Sequence, residues 1–525
     1  MAHSPSFAES CKKYDLYPFN LLSASEYGTT VLNEHASKVH ESRKLLFLHD
    51  ENKFKIPVRD VSGSGTVSKI NIMNEGALRD FLGDAPLQTH PASQNQPTAL
   101  VAKPDPACRF IFFLSESAIA PLWLNSKMLF FLLTFYQVMP QLLDFLLVYA
   151  SPHGEDRELR FSGFRTYKML SNPIPGSVIP QLGRSGRKYQ LCFNLKTVAL
   201  KKTFQATTWK VRQAAVHHQF DLGQGTQVWM IADPHAAIKS RIDELYNTHR
   251  TYETSFTSVE QGFKSSLDIH LALARWATSE WRWHVRYLEE KAEQPALTIA
   301  LKEKRHIETL DLGLLSEMQR WEEKANENIM VMESNVKIMT LLQRFYKELV
   351  NDEDFPRNQR RPGRQAVKNF AFQLDEIICD TRMQIDRGKI LVKILADRKA
   401  VLIQHLQTQT ALAAEKLAAS MYEQANRSAI ETIAVRIVTI VTLIYLPATF
   451  SSTLFSTDII KYQEGESFSS LALYRFLQVT IPLMVLTFLG AGAWFWVEWT
   501  KRDRESQELK DQYPDSFQRP MKEKP

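Results

Sequence analysis

Cysteine is scarce in this chain. Its 525 residues hold four (Cys11, Cys108, Cys192 and Cys379), scattered and without a CxxC pair. That excludes a disulfide framework, and reduced thiols of a cytosolic domain are expected. The N-terminal stretch MAHSPSFAESCKKYDLY has no apolar core of the kind a secretory signal needs. Charge of one sign is also in short supply: the net value of +6 is too small over this length to indicate a nucleic-acid partner. VSGSGTVSK (Val61 to Lys69) is glycine-rich but falls short of the phosphate-loop pattern. No nucleophile–base pair and no metal-ligand spacing stands out, so neither an enzyme nor a resident cofactor is expected.

Long hydrophobic runs are few. Hydrophobic residues make up 44% of the chain and the mean hydropathy is −0.26, so any membrane portion is a small fraction of the whole. Three stretches reach the roughly 20 residues that a bilayer core requires. The first, Met128 to Ala150, is interrupted by Gln137, Pro140, Gln141 and Asp144. Its polar breaks recur on one side, as in a buried amphipathic helix, so a soluble core is expected there. The second, about Ile437 to Ser456, and the third, about Phe476 to Val497, contain no charge. Trp494, Trp496 and Trp499 close the third like an interfacial aromatic belt. Arg427 and Arg436 precede the pair of spans, and Lys501, Arg502 and Arg504 follow it. The connecting loop sets Asp458, Glu464 and Glu466 against Lys461 and Arg475. Positive charge on both outer flanks puts both termini in the cytosol and the loop outside it.

The remainder divides by composition. Residues 1–60 carry no clear assignment, and 61–235 read as a mixed α/β domain interrupted by a Pro/Gln/Ala linker at 83–106. Lys188 to Lys202 and Trp209 to Asp233 alternate like strands, the latter turning at DLGQGT. Residues 236–350 read as long antiparallel helices, with expected breaks at EQPAL and at Asn351 to Gln365. From Gln365 no proline or paired glycine intervenes before Leu446. A helix from there to Ser456 would be roughly 135 Å long, and one so long must pack against others. Residues 365–436 would form a stalk that enters the first span, 437–456; a loop (457–475), a second span (476–497) and a tail that starts basic (498–525) follow. The fold class is thus an α+β cytosolic domain, a helical stalk and two C-terminal transmembrane helices.

Stepping alternately by three and four through the first span gives Thr432, Val435, Thr439, Thr442, Leu446, Thr449, Thr453 and Ser456. The other faces are mostly apolar, with Ser451 and Ser452 near the far end. A lone Thr in a span can bond its own backbone and means little. A continuous hydroxyl seam has two readings: glue between helices, or the wall of a wet pathway surrounded by several copies. Either one implies an oligomer in a lipid bilayer. Asp458 then falls at the extracytosolic mouth, where one carboxylate per copy makes a ring that concentrates cations. Ser456 and Thr457 flank it, and Glu464 and Glu466 add to the field.

YLPATFSSTLFSTD (Tyr445 to Asp458) resembles the end of the first span of CorA-type divalent-cation transporters, which carry a Leu/Met-Pro-x-Thr-Phe segment followed by Gly-Met-Asn. Pro447, Thr449 and Phe450 match that pattern, whereas Ser456, Thr457 and Asp458 replace the signature. WKVRQAAVHHQFD (Trp209 to Asp221) with VWMIADP is similar to the cytosolic domain of fungal CorA-like proteins. The resemblance implies a CorA-like funnel, a homopentamer, an axial pore lined by the first span, and Mg²⁺ or another divalent cation as cargo in the plasma membrane. Carried onto this chain, the pore face is the seam, and Asp458 is a transient metal contact. Leu446, or Val438 and Val435, would be the apolar constrictions, and Arg427, Arg436, Lys501, Arg502 and Arg504 would form a basic belt at the cytosolic exit. The altered signature keeps a second reading open, a non-conducting membrane-anchored scaffold or sensor.

Three further signals have plain explanations. His217 and His218 are adjacent on an expected strand and so point to opposite faces. The aromatics of Arg275 to Glu290 sit at helical spacing, as in helix packing. Asp375, Glu376, Asp380 and Asp386 read as a solvated helix face.

Overall fold

A computed structural model describes residues 6–83, 103–117, 120–149, 160–202, 207–234, 236–247, 256–304, 312–456 and 470–512. The chain falls into two compact units that divide after Leu406.

The first unit opens with α1 (Phe7–Lys12) and α2 (Thr29–Leu46), then β1 (Ile56–Val61), β2 (Val67–Ile72) and α3 (Glu75–Leu82). The glycine-rich VSGSGTVSK is the turn between β1 and β2, where Gly65 takes a φ of 86°. Beyond the span that holds most of the expected linker, which lies outside the described residues, come β3 (Cys108–Phe113), α4 (Ser126–Phe135) and α5 (Leu142–Leu146). The expected soluble-core run is borne out: α4 and α5 are buried almost throughout. Asn125 Oδ1 starts α4 by accepting from the Met128 amide at 2.8 Å.

Four more strands follow, β4 (Phe164–Met169), β5 (Lys188–Lys202), β6 (Thr207–Asp221) and β7 (Gln227–Ala232). The sheet runs β2-β1-β3-β7-β6-β5-β4, with β3 and β7 parallel at its centre and the other pairs antiparallel. Both central strands are buried at every position, so apart from Arg109 and Gln227 they read as continuous apolar runs, CRFIFF and QVWMIA, rather than alternating ones. Their side chains still divide by parity. Ile111 and Phe113 join the core under α1, α2, α4 and α5, whereas Phe110 and Phe112 join the core on the other face.

That second face is covered by α6 (Ala237–Asn247), α7 (Val259–Thr278), α9 (Leu312–Leu349) and the start of α10 (Arg357–Ser456), with α8 (Trp281–Lys304) between α7 and α9 in the chain. Trp281 and Val285 cluster with Met332 and Ile385, and Leu288 and Ala292 with Ala325, Leu391 and Leu395. Numbers rise along α8 and α10 while they fall along α9, so α9 runs antiparallel to both. Gly388 lets α9 and α10 approach closely: a Cβ there would lie 3.1 Å from Ile329 Cγ1.

Two expected breaks are corrected. EQPAL does not end a helix, because α8 runs through Pro295 to Lys304. The break lies earlier, inside the Trp-rich stretch between Thr278 and Trp281, where the Trp281 indole donates to the Ala277 carbonyl at 2.8 Å. The second break is shorter than expected. Helix α10 begins at Arg357, directly after Pro356, and continues through Pro362 and Gly363. Arg360 holds the preceding loop by donating to the carbonyls of Asp352, Glu353 and Phe355. Asp375, Glu376, Asp380 and Asp386 are exposed on α10, as expected for a solvated face.

His217 and His218 point to opposite faces. The Nε2 of His217 lies 3.0 Å from Gln190 Oε1, whereas His218 stacks on Trp229 at 3.9 Å with its Nδ1 3.2 Å from His270 Nε2. Burial pushes the pKa of His217 and of His270 down to about 3, and that of His284 down to about 4. A histidine whose folded pKa is lowered stays neutral while the unfolded chain takes up its proton. Stability is therefore full above pH 6.5 and falls as pH drops toward those folded values, by about 2 kcal/mol per such group at pH 5. The melting temperature of the purified protein should fall between pH 7 and pH 5. His270→Phe should fall less over the same interval, as read by thermal scans of the two proteins side by side.

Candidate functional site

The second unit carries the end of α10 and α11 (Ser470–Gln512). Both contain windows long and apolar enough to cross a membrane, with mean hydropathies of 2.0 and 1.8, and only 6% of each window is buried. Chains of Ile, Val, Leu and aromatic residues left bare on both helices need apolar cover, which hydrocarbon or further protein supplies. Pro482 lies inside α11 and removes one donor from its ladder.

The two helices meet through Phe455 and Phe476, whose rings pack edge to face at 5.9 Å. One turn down each antiparallel partner stand Ser451 and Thr480, 0% and 5% exposed. Their hydroxyls have no hydrogen-bond partner among the described residues. Pro447 is buried another turn along. Pro447, Ser451 and Phe455 thus form the contact ridge of α10, at the i, i+4, i+8 spacing of one helix face.

The hydroxyl seam lies away from that ridge. Thr432, Val435, Thr439, Thr442, Leu446, Thr449, Thr453 and Ser456 are all exposed. Ser451 is two residues from both Thr449 and Thr453, a rotation of roughly 200° at 3.6 residues per turn. The contact with α11 therefore occupies the opposite side of the helix.

Each seam hydroxyl donates back to its own helix. Thr432 reaches the Ser428 carbonyl at 2.8 Å, Thr439 that of Val435 at 2.7 Å, and Thr442 that of Thr439 at 2.9 Å. Thr449 reaches Tyr445 at 2.9 Å, Thr453 reaches Thr449 at 2.8 Å, and Ser456 reaches Thr453 at 3.0 Å. A hydroxyl has one donor and two lone pairs. With the donor taken up by the backbone, the group offered outward is an acceptor oxygen. The seam is thus a row of oxygen lone pairs interrupted by Val435 and Leu446, with Val438 exposed beside it.

The other expected site residues divide. Arg427 is exposed and pairs with Glu423 on its own helix at 2.6 Å, while Arg436 and Arg504 are exposed. Lys501 and Arg502 belong to α11, and their side chains lie outside the described residues, as does that of Trp499. Thr457, Asp458, Glu464 and Glu466 also lie outside them. Among the described residues, no group of three or more His, Cys, Asp and Glu converges as a metal cluster. Sequence reasoning missed the burial of Ser451 and Thr480. The available signal was a serine displaced by half a turn from an otherwise regular seam.

A mixed α/β unit followed by a two-span helical hairpin defines a membrane protein with a large non-membrane portion. The sequence pattern that describes CorA-like transporters matches residues 9–299, more than half of the chain, and the chain belongs to that family. Among solved structures it is similar to the cytoplasmic domain of ZntB from Vibrio parahaemolyticus. That similarity covers 64% of this chain and 97% of the other, at 10% identity and a TM-score of 0.27. No curated protein sequence matches.

Widening the contact ridge should disturb the hairpin. Ser451→Leu is expected to cost about 1–3 kcal/mol by overpacking and to lower the melting temperature of the detergent-solubilised protein. Ser452→Leu, on an exposed position, should leave it unchanged.

Proposed function

We propose that this chain conducts a divalent cation, with Mg²⁺ as its cargo, through a pore built from five copies of itself in the plasma membrane. Both termini lie in the cytosol, and the seam on α10 faces the axis. The observation that carries this reading is the orientation of the seam hydroxyls. Their protons are held by the helix backbone, so the exposed atoms are acceptors, which suit a cation and its water. Mg²⁺ gives up water reluctantly and is often held through it, so neutral oxygens spaced along a helix serve as outer-shell contacts.

In this reading Asp458, aided by Glu464 and Glu466, gathers cations at the mouth, with Ser456 and Thr457 beside it. Val435, Val438 and Leu446 supply narrow apolar rings that can close by dewetting. Arg427, Arg436, Lys501, Arg502 and Arg504 fix topology and surround the cytosolic end. The Ser-Thr-Asp sequence at 456–458, where the family pattern has Gly-Met-Asn, motivates a second reading: a scaffold or sensor that keeps the architecture without conduction.

Mg²⁺ uptake into liposomes carrying the purified full chain separates the two. Asp458→Ala should lower the initial rate about tenfold, since it removes a ring of charge that concentrates the ion. Thr449→Leu should lower it at saturating Mg²⁺ as well. Equal rates in all three proteins would overturn the mouth and seam assignments. No flux of Mg²⁺, Zn²⁺, Ni²⁺ or Co²⁺ through a folded pentamer, its mass fixed by light scattering, would favour the scaffold.

A further inference from the structure

A free sheet edge offers unpaired backbone donors and acceptors, and proteins blunt such edges. Strands β2 and β4 bound the sheet. Both are short, and Lys69 sits within one, Arg165 and Lys168 within the other. The long strands β5 and β6 add further edges, because each overhangs its neighbour. Strand β4 pairs with β5 only as far as Phe193, and β7 pairs with β6 only from Ala215 to Phe220. Residues 194–202 of β5 and 207–214 of β6 thus bond each other, with no further strand beside them among the described residues.

The two overhangs are finished differently. On β5 the Lys196 amide donates to Asn335 Oδ1 at 3.0 Å, and Asn335 Nδ2 donates to the Lys196 carbonyl at 2.6 Å, so a side chain of α9 stands in for a strand. Those bonds also fix the parity of the ribbon. Antiparallel residues alternate between bonding their partner and turning both groups away from it. Lys196 turns away from β6, so its register partner Gln213 turns away from β5, as do Val211 and Trp209. The Asp221 amide, which donates to the Thr226 carbonyl at 2.9 Å, has the same parity. Among the described residues nothing bonds the outward amides and carbonyls of Trp209 and Val211.

A groove of about 410 Å³ adjoins that edge. Thr197, Leu200 and Arg212 of the ribbon line it together with Arg241, Trp276 and Glu280. Asp233 lines it too, but it is buried and accepts from the Ile238 and Lys239 amides at 2.7 and 3.3 Å, so its charge serves the start of α6. Arg212 is partly buried and has no hydrogen bond or ion pair among the described residues. Burial lowers its pKa, with no charged neighbour offsetting the loss. Its register partner Thr197 is buried, and the Thr197 Oγ1 lacks a partner as well.

From Asn194 to Val216 the chain carries five cations (Lys196, Lys201, Lys202, Lys210 and Arg212) and no acid. That decides the occupant. A second copy of this edge, pairing antiparallel about Val211, would set Arg212 against Lys210, and like charges directly opposed are destabilising. An acidic strand meets no such cost. We infer that the free edge of β6 takes up an extended acidic segment of a partner protein as an added strand. Its backbone bonds Trp209 and Val211, and one of its carboxylates meets Arg212. Main-chain bonds supply the affinity in such additions, and alternate side chains the choice of partner.

Fluorescence anisotropy with labelled heptapeptides and the full chain in detergent tests this. The acidic strand former EVEVEVE should bind saturably. KVKVKVK should bind at least tenfold more weakly. So should EPEPEPE, which keeps the negative charge but lacks every second amide and the extended φ of a strand. Arg212→Glu should weaken EVEVEVE about tenfold while keeping the wild-type elution volume. Lys210→Glu, at an exposed position, should weaken it as well, so the test survives a misfolded Arg212→Glu. Lys69→Glu on β2 should leave it unchanged. No saturable binding, equal binding of EPEPEPE or KVKVKVK, or an equal loss in Lys69→Glu would overturn the proposal. So would disulfide-linked dimers of Val211→Cys, made in a Cys379→Ser background and mildly oxidised, which would assign the edge to a second copy.

Discussion

The first unit depends on a sheet that is covered on both faces. Once β3 and β7 lie side by side with no water on either surface, each of their residues must be apolar or internally bonded, and the hydrogen bonds of the ladder satisfy the backbone. Parity then assigns each residue to one of two cores. That explains how adjacent histidines come to lie in unrelated environments, His217 against Gln190 and His218 against Trp229. It also explains why a buried polar residue here is structural. Gln190, for example, accepts from the Met139 amide at 2.8 Å and donates to the Gln137 carbonyl at 2.9 Å, tying the segment between α4 and α5 to the sheet.

Much of this was legible because the signals are local. The strands at Lys188 and Trp209 alternate, the two spans lack charge, and the long helix lacks breakers, so each declares itself within its own window. The soluble character of Met128 to Tyr149 was legible too, since polar residues at fixed spacing cannot all face lipid. The errors fell on proline. EQPAL and the segment at Pro356 to Gln365 looked alike in composition, yet α8 continues through Pro295 and α10 begins before Pro362. Whether a helix tolerates a lost donor depends on what packs around it, and no local window records that.

The groove at Arg212 was illegible for a different reason. Its walls come from residues near 197, 212, 241 and 276, and only strand register and helix packing bring them together. In sequence, Arg212 is merely one residue of a strand. The burial of Ser451 and of Thr480 shares that character: it exists only once the hairpin has closed on Phe455 and Phe476.

The back-bonded threonines have one more consequence. A hydroxyl passes a proton along a chain only if it can donate forward as it accepts from behind. On α10 the forward donor is missing, because each seam hydroxyl is turned onto a carbonyl of its own helix. Side chains so arranged are no rung of a proton wire. A surface of this kind offers lone pairs to whatever lies against it while contributing nothing of its own to proton hopping.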